Sequence, residues 1–154
     1  MKTIVIYDSV FGNTAKIADE IAKATGGALF KITDICAADL GDATHVFLGS
    51  PTRAFRPTPA VTAWLKKLPA GTLKGKHAAA FDTRAIMDTV DSAMLKRMVK
   101  WFGYAAEKIQ KELIKKDAFV HTDPTGFYVL ESEGPLKDGE LKRAAEWAER
   151  TIKE

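Results

Sequence analysis

The chain predicts an α/β domain: a parallel β-sheet with helices on both faces. Two observations carry this. Short apolar runs alternate with amphipathic helical patterns along the whole chain, giving five strand–helix units. The first of these runs, TIVIY at Thr3–Tyr7, has no polar alternation, as expected of a parallel strand buried on both faces. Right-handed crossovers then place helices above and below the sheet. With 154 residues and no repeat or low-complexity tract, the expectation is one domain over residues 1–154.

The elements follow in order. After Thr3–Tyr7, a helix from about Asn13 carries Ile17, Ala18, Ile21 and Ala22 on one face and stops at Gly26-Gly27. Ala28–Ile32 reads as the second strand, and Asp34–Leu40 as at most a short helix holding the single cysteine, Cys36. Thr44–Leu48 is the third strand. The next helix has Thr58 as cap and Pro59 at its first position, then Val61, Trp64, Leu65 and Leu68 at helical spacing. Lys76–Phe81 is the fourth strand, its alanines suited to close helix packing. Asp91–Lys116 reads as one long helix or two broken near Gly103, with Met94, Met98, Trp101 and Phe102 on one side and Ala105, Ile109 and Leu113 further on. Ala118–Thr122 is the fifth strand, and Gly126–Leu130 extends it or stands as a separate short strand. From Asp138 the last helix turns Leu141, Ala144, Ala145, Ala148 and Ile152 inward.

In such sheets a ligand sits beyond the carboxyl ends of the strands, where strand order reverses. The loops after the first, third and fourth strands are chemically unusual. Ser9-Val10-Phe11-Gly12-Asn13-Thr14 leads from a strand into a helix, where free N–H groups and the helix dipole suit a phosphate. The same residues also make a capped tight turn. No Gly-Lys-Ser/Thr follows, so this is not a Walker loop. Gly49-Ser50-Pro51-Thr52-Arg53-Ala54-Phe55-Arg56-Pro57 holds an aromatic between two arginines, either against a flat ligand or folded over the core. Asp82-Thr83-Arg84 offers hydrogen-bonding groups to a ligand, or simply caps a helix.

Together these three loops resemble the flavodoxin family, which has a Ser/Thr-x-x-Gly-Asn-Thr phosphate loop after its first strand. Gly49–Thr52 and Phe81–Arg84 are similar to the starts of its second and third flavin loops. Gly134-Pro135-Leu136 through Glu140 is similar to the approach to its last helix. The resemblance implies a three-layer, doubly wound, five-stranded parallel sheet of strand order 2-1-3-4-5, with flavin mononucleotide (FMN) as cofactor. It implies that Ser9, Gly12, Asn13 and Thr14 hold the phosphate, with N–H groups from Val10 and Phe11. Pro51, Thr52, Arg53, Ala54 and Phe55 would line one ring face, and Asp82, Thr83 and Arg84 the pyrimidine edge and ribityl chain. The implied function is an electron carrier between iron–sulfur or flavin proteins, with no catalytic side chain. The alternative is an FMN-dependent NAD(P)H:quinone-type reductase. A signalling receiver of the same topology lacks its acceptor aspartate, since the third strand ends Leu48-Gly49-Ser50.

The match departs at two places. Phe11 stands where the family often has a hydroxyl, so one phosphate hydrogen bond is expected to be missing. At the ring end Arg53-Ala54-Phe55 lacks the usual glycine, so weaker semiquinone stabilisation is expected. Arg53, Arg56 and Arg84 replace the family's usual acidity, and a less negative second reduction potential is expected.

Composition excludes other classes. The net charge of +3 is mild, and no RNP-like strand or zinc-ligand spacing supports nucleic-acid binding. His45, His77 and His121 sit singly near strand ends, so no metal site is expected. No apolar run is long enough to span a bilayer. One cysteine and no leader pattern at MKTIVIYDS give a cytoplasmic expectation, as a monomer or weak homodimer.

Overall fold

The structure, a computed structural model, describes residues 1–86 and 93–154. Five strands form one sheet: β1 (Thr3–Tyr7), β2 (Ala28–Lys31), β3 (His45–Pro51), β4 (His77–Ala85) and β5 (Thr125–Val129). All neighbours are parallel, in the order β2-β1-β3-β4-β5, as the family resemblance implies. The helices are α1 (Asn13–Thr25), α2 (Pro59–Lys67), α3 (Ala93–Phe102), α4 (Ala105–Lys115) and α5 (Glu140–Lys153).

Strand residues alternate between the two faces, which divides the core in two. Ile4 and Ile6 of β1 join Val46, Leu48, Ala78 and Ala80 under Val61 and Leu65 of α2 and Ile109 and Leu113 of α4. Val5 joins Phe47, Ala79 and Phe81 under Ile17 and Ile21 of α1 and Ala144 and Trp147 of α5. Trp147 meets Phe47, Phe81 and Phe127 edge-on, with ring centroids at 5.5, 6.2 and 5.9 Å. Each such pair adds roughly 0.5–1.5 kcal/mol to the burial itself.

Several expectations are corrected. β4 runs on through Asp82, Thr83 and Arg84, because these pair with Gly126, Phe127 and Tyr128 of β5. The fifth strand is therefore the 125–129 segment, while the 118–122 segment contributes one bridge, Phe119 to His77. β2 stops at Lys31, and Ile32 starts a short 3-10 turn. Cys36 is exposed and starts a second such turn. Thr58 makes no side-chain cap: its hydroxyl donates to Asp8 Oδ2 at 2.6 Å. In α5 Ala144 and Ala148 are buried as expected, but Trp147 joins them while Leu141 is exposed. Of the two readings of residues 91–116, the structure takes the break at Gly103, giving α3 and α4; the 91–92 start lies outside the described residues. The three histidines are not separate. His77 Nδ1 and His121 Nε2 are 2.7 Å apart, and His45 stacks on His77 with centroids at 4.9 Å. This cluster starts β3 and β4, at the sheet edge away from their carboxyl ends.

Candidate functional site

The carboxyl ends of β1, β3, β4 and β5 surround a cavity of about 470 Å³. That volume is in the range of small-molecule and cofactor sites. Of the residues expected from the sequence, it is lined by Ser9, Val10, Phe11, Asn13, Thr14, Pro51, Thr52, Arg53, Ala54, Thr83 and Arg84. Segments separated in sequence by two crossover helices thus meet in one place. Gly12, Phe55 and Asp82 are not among its lining residues; Phe55 lines an adjoining recess with Val99 and Tyr104.

The first loop is built to leave donors free. Gly12 precedes α1 at φ +93°, a conformation that costs a side-chain-bearing residue energy. Ser9 Oγ accepts the N–H groups of Gly12 at 3.1 Å and Ala15 at 3.3 Å, which holds the turn. Among the described residues, none accepts from the N–H groups of Val10, Phe11, Asn13 or Thr14. No acidic residue occupies the first turn of α1, so the positive end of its dipole is uncompensated. A phosphate meets both needs.

The hydroxyls and amide there already tie the loops together. Thr14 Oγ1 and Thr83 Oγ1 share a hydrogen bond of 2.7 Å, joining the first and third loops. Asn13 Nδ2 donates to the Glu133 carbonyl at 3.0 Å. This draws in a hairpin in which Val129 bridges Leu136 and Ser132 and Glu133 reach the cavity. Gly134, at φ +111°, permits the approach: a Cβ there would lie 2.8 Å from Asn13 Oδ1. Ala85, Val129, Ser132 and Glu133 are lining residues that sequence reading missed. The Gly134-Pro135 turn is legible, but nothing local says that it folds back over the first loop.

At the other end, Arg53 and Arg56 exchange backbone hydrogen bonds of 2.9 and 3.0 Å around Ala54 and Phe55. Both central residues have positive φ, +49° and +67°, the geometry of a two-residue type I′ turn normally given to glycine or asparagine. This is strained backbone at the cavity mouth. Arg53 stands over the Phe11 ring at 5.3 Å.

Asp82 is fully buried. Its carboxylate accepts Arg84 Nε and Nη2 at 2.7 Å each, and the Ala106 N–H at 2.9 Å. Thr52 Oγ1 accepts the Ala105 N–H at 3.0 Å. Two residues of the sheet end therefore cap α4, supplying what its own Tyr104 cap does not. The Arg84 guanidinium lies 3.5 Å over the Tyr104 ring, a cation–π contact, with the Gly126 backbone against its other side. Arg84 is thus a neutralised, fixed group, whereas Arg53 and Arg56 are exposed cations. Burial pushes the Tyr104 phenol upward, against the pull of Arg84.

The flavodoxin domain model matches residues 4–121 of the chain. No curated protein matches it. Solved structures with similar folds include a flavodoxin from the domain Archaea (TM-score 0.76, 18% identity, covering 99% of this chain and 97% of that one). Flavodoxin 1 from Bacillus cereus is another (0.70, 18%, 99% and 98%). A WrbA-like flavodoxin from Agrobacterium tumefaciens gives 0.70 at 18% identity, covering 99% and 95%. At these identities the likeness is one of fold.

Proposed function

We propose, from the premise that this chain belongs to the flavodoxin family, that it binds FMN in the 470 Å³ cavity and carries electrons between redox proteins. The carrying observation is the set of free N–H groups at the start of α1, opening into a cavity at the strand ends where the order reverses. The N–H groups of Val10, Phe11, Asn13 and Thr14 bind the phosphate, with the dipole of α1 behind them. Thr14 and Thr83 present hydroxyls beside it. Pro51, Arg53 and Ala54 wall the ring end, and their turn is held shut by its own two backbone bonds. Arg84 is locked by Asp82 and orients a polar edge without adding net charge.

FMN, when bound, supplies one- and two-electron transfer; the protein supplies position and electrostatics. Arg53 and Arg56 favour whichever form of a ligand carries more negative charge. Among the described residues no nucleophile–base pair lines the cavity, which favours a carrier over an enzyme using its own side chains.

Titration of the purified chain with FMN, followed by flavin fluorescence, tests the reading. Saturable one-to-one quenching is expected, with riboflavin, which lacks the phosphate, at least roughly tenfold weaker because the α1 donors are unused. Equal affinity for the two, or none for either, defeats it. Turnover of NAD(P)H with a quinone, without any added protein, would shift the assignment to a reductase.

A further inference from the structure

The surface beside the ring end of the cavity is unlike the rest. α3 has no buried residue. At about 100° per residue, Met94, Met98, Trp101 and Phe102 fall in one arc, Lys96 and Lys100 on the opposite side, and Arg97 at the edge of the arc beside Trp101. Trp101 is 84% exposed, Met94 72% and Phe102 57%. The apolar strip reaches the 53–56 turn, since the Phe102 ring lies 5.8 Å from that of Phe55.

Next to it, between α2 and α4, a groove of about 300 Å³ is lined by Arg56, Lys66, Lys108, Lys111 and Lys115 among others. The Lys108 ammonium donates to the carbonyls of Phe55 and Phe102, stitching α4 to both the turn and the end of α3. Burial pushes the Lys108 ammonium down against the pull of Glu107, with Arg56 and Lys111 adding smaller pushes the same way. No acid stands between Ala93 and Ala106 in the sequence. Of the carboxylates on α4, Glu112 is bonded to Lys115 at 3.0 Å.

An exposed Trp, Met and Phe centre with an Arg and Lys rim is the composition of a protein-binding surface, and a patch of this kind seldom stays uncovered. Charge selects the occupant. A second copy on a two-fold axis would set these cations against themselves, and like charges so juxtaposed repel. A lipid surface is anionic but flat, whereas the groove behind the strip is concave.

We propose that α3, the 53–56 turn and the α2–α4 groove dock the acidic surface of an electron-transfer protein, with Trp101 as apolar anchor. The identity of the partner as a redox protein rests on the carrier reading above; the charge and the anchor do not.

The test is calorimetric titration of the full chain with an acidic [2Fe–2S] ferredoxin, with a basic cytochrome c for comparison. Ionic strengths of about 0.01 and 0.15 M take the screening length from about 30 to about 8 Å. Binding of ferredoxin is expected to weaken with salt and to exceed that of the cytochrome. The Lys100→Glu/Lys111→Glu variant should weaken it roughly tenfold and flatten the salt dependence. Trp101→Ala should weaken it about as much with the salt dependence kept. These side chains are exposed, so the variants fold. Unchanged affinity in both variants, preference for the cytochrome, or no salt-sensitive ferredoxin binding overturns the proposal. So does preferential binding to phosphatidylglycerol vesicles, or a dimer in sedimentation that Trp101→Ala dissolves. The titration is run with and without FMN: ferredoxin binding by a chain that takes up no flavin defeats the carrier reading and leaves the docking face standing.

Discussion

Replacing Asp82 by alanine tests how firmly the candidate site is built into the core. The carboxylate is fully buried and accepts three hydrogen bonds, two from Arg84 at 2.7 Å and one from the Ala106 N–H at 2.9 Å. Its loss strands the Arg84 cation, whose side chain is only 12% exposed, between Tyr104 and Gly126. Breaking a buried pair by removing one partner costs about 3–5 kcal/mol. Uncapping α4 adds about 1 kcal/mol. Against a total stability of roughly 5–15 kcal/mol this is a large share. Urea unfolding followed by tryptophan fluorescence should show the midpoint falling by about 2–3 M, taking a slope of roughly 2 kcal/mol/M. The double variant Asp82→Ala/Arg84→Met removes the stranded charge as well, and should recover about half of the loss or more. A fall below roughly 0.5 M in the single variant, or a double variant no more stable than the single, would refute the assignment of Asp82 as a buried clasp.

Burial, then His77, the N-terminus and His121, hold His45 below the ordinary histidine range. The unfolded chain therefore takes up the proton first: this contribution is whole above about pH 6.5 and is lost as pH falls toward the lowered folded value. Urea midpoints should drop between about pH 7 and 5, less steeply in His45→Asn; a flat profile in the native chain contradicts this. Burial works upward on Glu140, but Arg143 and the Tyr128 N–H outweigh it and hold the carboxyl below its usual value. Its contribution is present above about pH 4.5 and lost as pH falls through the lowered pKa, a second step that Glu140→Gln should remove. Gly134→Ala brings a Cβ onto the Asn13 carboxamide at positive φ. It should cost about 1–3 kcal/mol in urea unfolding and weaken FMN binding together; unchanged values of both count against the hairpin's role. Arg53→Gln should make the second reduction couple of bound FMN more negative by roughly 20–40 mV in a redox titration, and a shift the other way removes Arg53 from the electrostatic account.

The fold was legible because its signals are local and repeated. Ile4–Ile6 and Val46–Leu48 are apolar without interruption, and Gly26 and Gly103 mark real ends. The first loop was legible for the same reason: six consecutive residues bear its chemistry. What was missed depends on pairing at long range. Asp82 reads as a loop residue until β5 is laid beside it, and then becomes the clasp of an ion pair and a helix start. Leu141 and Trp147 exchange roles because an aromatic pocket of Phe47, Phe81 and Phe127 awaits the latter. The histidines, spread across three segments, meet only when strand starts are aligned. Arg84 carries a formal charge in the sequence that its partner cancels in space, so the expected effect on potential narrows to Arg53 and Arg56.

The Thr14–Thr83 bond spans 69 positions of chain, and Asn13 reaches 120 positions to Glu133. A molecule held there touches the beginning, middle and end of the polypeptide at once, so no partly assembled intermediate offers the whole set of contacts. Occupancy then acts as a brace against global opening, worth about 2.7 kcal/mol at a hundredfold excess over the dissociation constant. If FMN is the molecule held there, as proposed, chains made faster than FMN is supplied would be the ones that proteases remove, which would keep abundance in step with FMN supply.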